Sequence, residues 1–262
     1  MNRKRIKIDL DRFPLEFVPL LKDTDVYDSS CSPEARVFFV DCDGGYYLKE
    51  SPKGTLQKEA DMTRFFHKKG LGTEVLAYQS AGDRDWLLTR RVPGEDCTHA
   101  DYLADPRRLC DLLASLLRSL HETDTAECPV ADRMSAYLST AENNYRLGQW
   151  DFSYYTEDYG DVTPQQLWHT VKEGGEAFAR DTLLHGDYCL PNVMLDNWRF
   201  AGFIDLGNGG VGDRHVDLYW GAWTLRFNLK TDCYRERFFD AYGRDKIDPE
   251  LLRLVAAAEV FG

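Results

Sequence analysis

The stretch from Leu184 to Gly207 constrains this chain most strongly, because it concentrates acidic and amide side chains within a short span. Asp187, Asn192 and Asp205 are those side chains. Apolar runs on either side of an Asp196-Asn197 turn predict two strands, and a third is expected just before His185, so the three polar groups should meet at one end of a small sheet. Two carboxylates and a carboxamide form an oxygen-rich site of the kind that Mg²⁺ shares with phosphate groups.

The order of these residues also suggests a division of tasks. His185-Gly186-Asp187 is followed five positions later by Asn192, and Asp205-Leu206-Gly207 comes next. In the protein-kinase motif H-R-D-x-x-x-x-N, the Asp positions the attacking hydroxyl and the Asn holds a metal, while the Asp of a following D-F-G also holds Mg²⁺. Gly in place of Arg and Leu in place of Phe favour small-molecule kinases over protein kinases. Taken alone, H-G-D is equally consistent with a buried histidine beside ordinary turn residues.

Composition and charge limit the class of partner. The chain has 262 residues, of which 43% are hydrophobic, enough for one large domain or two lobes. Its net charge of -12 argues against nucleic acid or an anionic membrane surface and suits a cationic small molecule. Seven cysteines without a C-x-x-C pair predict free thiols in a reducing compartment. We recognise no signal peptide and no membrane-spanning run, and therefore expect a cytoplasmic protein, either a monomer or a weak dimer.

The N-terminal residues 1–94 are predicted to form an antiparallel sheet with one helix. A small polar segment between two early strands contains Ser30 and Ser32, which could cradle a phosphate through hydroxyls and backbone N–H groups. An ordinary hairpin loop is the alternative for these serines. Thr55 can cap the helix, which is expected to run to Gly70. The strand candidates are Val26–Tyr27, Arg36–Val40, Tyr46–Lys49 and Trp86–Val92, with an Asp43-Gly44-Gly45 hairpin turn.

Lys49 closes one of these predicted strands, and Glu59 follows ten residues later on the predicted helix. A strand lysine paired with a helix glutamate is the kinase arrangement that grips the α- and β-phosphates of a nucleotide. Such residues would ordinarily be surface charges, and only their position upstream of the 185–207 stretch favours the functional interpretation. Residues 89–92 would then be the hinge whose backbone groups bind adenine.

The remaining residues, 95–262, are predicted to be mainly helical. Asp105-Pro106 starts a helix whose leucines recur at helical spacing as far as His121. Asp217 precedes a later apolar helix, where it is expected to brace the catalytic loop rather than touch a substrate. Further helix starts are predicted at Thr163-Pro164 and Asp248-Pro249.

An acidic, aromatic-rich loop spans residues 151–161 and includes Glu157 and Asp158. One interpretation is a solvated surface loop. The other is recognition of an amine-bearing ligand, with carboxylates for ammonium groups and aromatic rings for sugar faces.

Several segments together carry a family resemblance. In their order and spacing they resemble the aminoglycoside phosphotransferases, the 3′-hydroxyl branch in particular, from about residue 14 to the end. The resemblance implies an α+β, protein-kinase-like fold of two lobes, with 1–94 binding nucleotide and 95–262 carrying catalysis and substrate. It also implies transfer of the γ-phosphate of ATP or GTP, with Mg²⁺, to a hydroxyl of a polycationic antibiotic, and hence resistance. The segments are CSPEARVF, GDRDWLLTRRVPGED, SLHETDTAECP, HGDYCLPNVM, FAGFIDLGNGGVGDRHVDL and the terminal EVF.

The resemblance also implies roles for individual positions. These roles are Asp187 as the catalytic base, Asn192 and Asp205 as Mg²⁺ ligands, Lys49 with Glu59 as the phosphate-binding pair, Glu157 and Asp158 in the acidic loop that lines the antibiotic pocket, and Glu259 and Phe261 at a C-terminal end that folds back toward the substrate.

The chain departs from the family pattern where substrate or the flap over the phosphates would be touched. Asn208 stands in place of a common arginine, Phe227 in place of an acidic contact, and Gly262 extends the C-terminal end. The hairpin over the phosphates is also expected to be one residue longer. Two alternatives therefore stay open: a kinase of choline, homoserine, a sugar or another antibiotic, and a pseudoenzyme that binds nucleotide without transferring phosphate.

Overall fold

The computed structural model describes residues 4–31, 35–155 and 161–262. Within these ranges the strands are β1 (Lys4–Ile6), β2 (Val26–Asp28), β3 (Arg36–Val40), β4 (Tyr46–Pro52), β5 (Val75–Ala81), β6 (Arg84–Arg90), β7 (Glu95–Asp96), β8 (Thr182–Leu184), β9 (Val193–Asp196), β10 (Arg199–Phe203) and β11 (Gly210–Gly212). The helices are α1 (Val18–Leu21), α2 (Gln57–Lys68), α3 (Ala100–Leu103), α4 (Pro106–His121), α5 (Arg133–Arg146), α6 (Pro164–Gly174), α7 (His215–Leu229), α8 (Arg235–Tyr242) and α9 (Pro249–Glu259).

The chain divides into two compact units. The first comprises the residues up to Asp96 together with Met194–Gly207, and the second comprises Cys97–Val193 and Asn208–Gly262. The predicted lobes, 1–94 and 95–262, stay a prediction, since the compact units group the 194–207 segment with the N-terminal residues.

The first unit is built on an antiparallel sheet with the strand order β1-β2-β3-β4-β6-β5. One face of the sheet carries a core that includes Phe13, Phe17, Phe38 and Trp86. The predicted hairpin turn between β3 and β4 is confirmed, with Asp43, Gly44 and Gly45 all at positive φ. Such backbone angles are accessible to glycine at little cost and shape a tight reversal.

Helix α2 starts in a different way from the predicted Thr55 cap. The N-cap residue is Leu56, and the Thr55 hydroxyl instead donates to the carbonyl of Pro52 at 2.6 Å. The Asp85 carboxylate accepts from the backbone N–H groups of Gly54 at 2.8 Å and Leu56 at 3.1 Å. An acid from β6 therefore holds the turn that leads into α2. The Thr55 prediction was wrong because the Thr55 hydroxyl is used within that turn and the helix has no side-chain cap.

The strands around the predicted catalytic hairpin also pair differently from the prediction. The predicted turn after β9 is present but lies one residue later than Asp196-Asn197, with Asn197 and Trp198 at positive φ, as in a two-residue hairpin. The strand before His185, however, pairs with β11 in the register Leu184↔Gly210, and β9 lies between β7 and β10. The predicted small sheet that joins β8 to β9 was therefore wrong, since both edges of β9 are already occupied.

The helices of the second unit begin largely where local sequence signals place them. The Asp105 side chain caps α4 by accepting from the N–H of Arg108 at 3.2 Å, and Thr163 forms a reciprocal capping box with Gln166. Asp248 caps α9 in the same way. These three predictions are confirmed, because capping depends on residues only a few positions apart.

Two further predictions concern the whole chain. Among the residues that the structure describes, no helix has the length and apolarity needed to cross a bilayer. The cysteines are thiols rather than disulfides, as predicted, and they occur at positions 31, 42, 97, 110, 128, 189 and 233.

Candidate active site

The loop after β8 brings the predicted base Asp187 and the predicted metal ligand Asn192 into direct contact. The Asn192 side-chain amide donates to Asp187 Oδ2 at 2.9 Å and to the Asp187 backbone carbonyl at 3.0 Å. Since both donated bonds come from the nitrogen, the carbonyl oxygen of the Asn192 side chain is left as an acceptor. The Cys189 thiol also bonds to this carboxylate, and burial, followed by the charge of Asp187, raises the thiol pKa and keeps it protonated.

A buried aspartate anchors this loop through hydrogen bonds to the loop backbone. Asp217 is 0% exposed, and its carboxylate accepts from the backbone N–H groups of His185 and Gly186, each at 2.7 Å. His121 Nε2 lies 3.2 Å from the same carboxylate, and His121 Nδ1 lies 2.8 Å from the Tyr242 hydroxyl. The predicted bracing by Asp217 agrees with these contacts.

The hydrogen-bond partners of His121 also determine which of its ring nitrogens carries the proton. Nε2 faces a carboxylate and therefore donates, so Nδ1 accepts from the Tyr242 hydroxyl. Burial lowers the pKa of His121 despite the neighbouring Asp217, and the ring is therefore neutral. Neither His121 nor Tyr242 was predicted to take part in holding the Asp217 carboxylate. They lie 96 and 25 positions from Asp217 and belong to no motif.

Gly186 is required by a close backbone approach. Its φ is +82°, and a Cβ at this position would lie 1.9 Å from the carbonyl oxygen of Asn208. The same oxygen accepts a bond from Arg133 Nε at 2.8 Å, which holds it in place. The loop therefore accommodates only glycine where the protein-kinase motif has arginine.

The first unit contains a separate charged cluster. Lys49 Nζ lies 2.8 Å from Glu59 Oε2 and 2.9 Å from Asp205 Oδ1. Burial alone would lower the pKa of Lys49, but the two carboxylates outweigh it, so the pKa is raised and the ammonium stays charged. One cation cannot compensate two acids fully, and burial raises the pKa of Glu59. The structure brings together Lys49 and Glu59 as the sequence predicts, and their role stays a prediction.

Ser30, one of the two predicted flap serines, forms hydrogen bonds within the first unit. The Ser30 hydroxyl accepts from the backbone N–H of Val37 at 3.0 Å, and the Ser30 N–H donates to Asp28 Oδ1 at 2.9 Å. These bonds close the hairpin between β2 and β3, as in the alternative interpretation. Ser32 lies outside the described residues, and the role of both serines stays a prediction.

The structure describes two of the four residues that were predicted to contact the substrate. Glu157 and Asp158 lie outside the described residues. Glu259 is only 7% exposed, and its Oε1 accepts from the Tyr137 hydroxyl at 2.9 Å and from Trp220 Nε1 at 3.0 Å. Phe261 is 1% exposed and packs edge-on against Tyr145 and Trp168. Its observed contacts are packing contacts, and contact with a substrate stays a prediction for both residues.

The surroundings of Glu259 give the fold a dependence on pH. Burial is the main cause that raises its pKa to about 7, with a smaller contribution from the Asp187 charge. Between about pH 4.5 and 7 the folded chain therefore binds a proton that the unfolded chain has released. This contribution to stability is complete below pH 4.5 and is lost as pH rises through 7.

We expect the Glu259→Gln variant to lack this dependence, because a neutral amide keeps the acceptor for Tyr137 and Trp220 without a titrating proton. The wild type should lose about 3 kcal/mol of unfolding free energy relative to the variant across this range. Urea denaturation of both proteins at pH 4.5, 5.5, 6.5 and 7.5 measures the difference. If the difference in unfolding free energy between the two proteins were the same at all four pH values, the raised pKa of Glu259 would be contradicted.

The chemistry of the side chains also bears on metal binding. Among the described residues there is no group of three or more His, Cys, Asp or Glu side chains arranged to hold a metal ion. The free amide oxygen of Asn192 and the half-exposed carboxylate of Asp205 are nevertheless hard oxygen donors. Mg²⁺ is commonly held by one or two such groups together with substrate phosphates and water, so each of these donors is of a type that fits this ion.

The antiparallel sheet with its lysine–glutamate pair, and the helical unit with its Asp–Asn loop, define a kinase-like phosphotransferase. The sequence profile of the phosphotransferase enzyme family matches residues 31–255, and the chain belongs to this family. The predicted family, enzyme class and α+β, protein-kinase-like fold class are confirmed.

Individual relatives agree with this assignment. The chain is 48% identical to a probable aminoglycoside 3′-phosphotransferase of Lactococcus lactis over 261 residues, covering 100% of this chain and 99% of the relative. It is 30% identical to an aminoglycoside 3′-phosphotransferase of Niallia circulans over 218 residues, covering 82% and 83% of the two chains.

Solved structures support the fold alone. The crystal structure of an aminoglycoside 3′-phosphotransferase of type VIII matches with a TM-score of 0.76 at 23% identity and covers 96% of each chain. An aminoglycoside phosphotransferase of Streptomyces rimosus, solved in complex with ADP and streptomycin, matches with a TM-score of 0.74 at 24% identity and covers 97% of this chain and 99% of the other.

Proposed function

We propose that this protein transfers the γ-phosphoryl group of ATP or GTP to a hydroxyl of an aminoglycoside antibiotic, the 3′-hydroxyl in particular, and thereby confers resistance. The observation that carries the proposal is the Asp187–Asn192 contact on a loop anchored to the buried Asp217. The names of the relatives from Lactococcus lactis and Niallia circulans support the acceptor class. The ADP and streptomycin bound to the Streptomyces rimosus structure support a nucleotide and a cationic partner.

Asp187 is the proposed catalytic base. Its Oδ2 is engaged by the Asn192 amide, so the carboxylate is held in one orientation. We propose that it accepts a hydrogen bond from the acceptor hydroxyl and aligns the oxygen for attack on the γ-phosphorus. The new P–O bond forms as the bond to the β-phosphate oxygen breaks, and the hydroxyl proton passes to Asp187.

The remaining roles concern the donor nucleotide. Lys49, held charged by Glu59 and Asp205, is proposed to bind the α- and β-phosphates. Asn192 and Asp205 would hold Mg²⁺, which when bound neutralises charge on the phosphate oxygens. Ser30 and Ser32 are proposed to contribute to the flap over the phosphates.

The acceptor is proposed to bind through acidic groups, because aminoglycosides are polycations and the chain carries a net charge of -12. Glu157, Asp158, Glu259 and Phe261 are the proposed contacts. We also propose a cytoplasmic location and a monomer or weak dimer, and cysteines in the thiol form support a reducing compartment.

A panel of acceptors tests the proposal. Purified protein is incubated with MgATP or with MgGTP and one acceptor at a time, and phosphate transfer is measured. We expect transfer to kanamycin and none to its 3′-deoxy analogue, which differs only in the proposed acceptor oxygen. Equal transfer to both would place the reaction on another hydroxyl.

The same panel separates the alternatives. Choline, homoserine and simple sugars serve as acceptors without the aminoglycoside framework, and transfer to one of them alone would overturn the antibiotic as substrate. Nucleotide binding without transfer to any acceptor would instead indicate a pseudoenzyme. Phe227 is exposed at a position where the family pattern has an acidic contact. This observation is the reason for including other acceptors in the panel.

A further inference from the structure

The first turn of α5 places an arginine inside the second unit that the proposed mechanism does not use. Arg133 is the first residue of this helix, and its Nε donates to the backbone carbonyl of Asn208 at 2.8 Å. Its guanidinium also lies over the ring of Tyr137, with 5.6 Å between the central carbon and the ring centroid. Burial lowers the pKa of Arg133, but a guanidinium stays charged in proteins, so a positive charge lies here.

In the part of the chain that the structure describes, the Arg133 guanidinium forms no ion pair with a carboxylate. The acid beside it in sequence, Asp132, accepts instead from Arg180 Nε at 3.2 Å and from the backbone N–H of Ser135 at 3.0 Å. Burial of a charge without a paired acid costs free energy, and the hydrogen bond that offsets this cost goes to a main-chain oxygen. The bond to Asn208 is therefore the main directional contact of this cation.

The oxygen that Arg133 holds lies against the loop that carries the proposed base. A Cβ at Gly186 would lie 1.9 Å from the Asn208 carbonyl oxygen and 2.4 Å from its carbon, so the two backbones approach closely. Gly186 immediately precedes Asp187, and its N–H donates to the Asp217 carboxylate at 2.7 Å. The Gly186 backbone is thus held by a carboxylate and by the Asn208 carbonyl together.

The start of α5 is also fixed against the strand next to this loop. A Cβ at Gly210 would lie 3.0 Å from Arg133 Cβ, so α5 begins directly against β11. Strand β11 pairs with β8 in the register Gly210↔Leu184, and β8 leads into the loop that carries Asp187. The backbone from which Arg133 extends is therefore tied to that strand, and its side chain adds a second connection at the Asn208 carbonyl.

We propose that Arg133 is a positioning residue for phosphoryl transfer, which holds the Asn208 carbonyl against Gly186 and thereby fixes the backbone that orients the Asp187 carboxylate. For its effect on rate, this inference rests on the proposed function. Arg133 acts through main-chain atoms and touches no reacting group. A base that is displaced by a fraction of an ångström aligns the acceptor hydroxyl less well, so the effect falls on the chemical step.

The kinetic test uses two substitutions, with MgATP and kanamycin as substrates. Arg133→Met keeps the aliphatic stem without a donor and should lower kcat about tenfold to a hundredfold, with both KM values within about twofold of the wild type. Arg133→Lys keeps a charged donor that can reach the Asn208 carbonyl, and its kcat should lie within about threefold of the wild type. If Arg133→Met does not fold, Arg133→Gln, whose donor is too short to reach, takes its place with the same expected loss.

Arg180→Met is the matched control. It removes an arginine that bonds to Asp132, the N-cap residue of the same helix, and leaves the bond to the Asn208 carbonyl in place. Its kcat should stay within about twofold of the wild type, because an exposed ion pair contributes little. Thermal unfolding checks that each variant is folded at the assay temperature. An equal loss of kcat in Arg180→Met and Arg133→Met would overturn the positioning role, and so would a kcat for Arg133→Met that matches the wild type.

Amide hydrogen exchange tests the same contact without turnover. In Arg133→Met the backbone amides of residues 185–187 should exchange at least about tenfold faster than in the wild type, because Gly186 loses its support. The exchange of these amides in Arg133→Lys and Arg180→Met should match the wild type. If the wild type phosphorylates no acceptor, the proposed function fails, and the exchange rates still decide whether Arg133 holds the loop. Unchanged exchange in Arg133→Met would overturn the inference whether or not the enzyme is active.

Discussion

The Asp187→Asn variant should transfer phosphate at least about a thousandfold more slowly than the wild type, with nucleotide and acceptor binding largely retained. The amide keeps the size of the carboxylate and one acceptor oxygen, but it cannot take the hydroxyl proton or carry negative charge. The Asn192 amide, which donates to Asp187 Oδ2 at 2.9 Å, would still find an oxygen there. The loss should therefore appear in kcat rather than in KM.

Steady-state kinetics and calorimetric titration of nucleotide and acceptor measure these two effects separately. Asp181→Asn is a suitable control, because Asp181 is an exposed acid just before β8 whose carboxylate accepts a hydrogen bond from the hydroxyl of its neighbour Thr182. Transfer by Asp187→Asn within tenfold of the wild type would remove Asp187 from its proposed role.

The Asp217→Ala variant should lose about 3–5 kcal/mol of unfolding free energy. The substitution leaves the N–H groups of His185 and Gly186 buried without their acceptor, and it removes the partner of His121 Nε2. Each such loss is costly, because a buried donor without a partner keeps its full desolvation penalty. Asp217→Asn should lose less, since its single oxygen can still serve one of the donors.

Urea denaturation of the variants gives the unfolding free energies. Asp111→Ala serves as the matched carboxylate control: Asp111 forms an exposed ion pair with Arg237, which should contribute no more than about 1 kcal/mol. If Asp217→Ala were no less stable than Asp111→Ala, the buried carboxylate would not be supporting the loop.

The parts of the site that could be predicted from the sequence are those encoded by spacing. The pairing of Lys49 with Glu59 could be predicted because a strand lysine and a helix glutamate occupy defined places in the kinase arrangement. In the structure, Lys49 Nζ lies 2.8 Å from Glu59 Oε2. Asp187 and Asn192 lie five positions apart in one loop, and that short loop leaves their side chains few alternatives to contact.

The parts that could not be predicted depend on residues distant in sequence. Helix α2 begins without a side-chain cap, and the distant Asp85 instead accepts from the backbone N–H groups of Gly54 and Leu56 in the turn before it, a contact that no local signal at Thr55 reveals. Strand β8 pairs with β11 rather than with β9, because pairing depends on which edges the rest of the chain leaves open. The packing of Tyr154 against Trp220 and Trp223 likewise joins residues that are far apart in the sequence.

The close approach of Gly186 to Asn208 has a consequence for how freely each position can vary. The atom that excludes a side chain at Gly186 is a main-chain oxygen, which every amino acid at position 208 supplies equally. The asparagine found there therefore has no part in this steric limit, which any other residue at the position would impose equally. The side chain at position 208 can therefore vary without relieving this limit, whereas the glycine facing it must be kept.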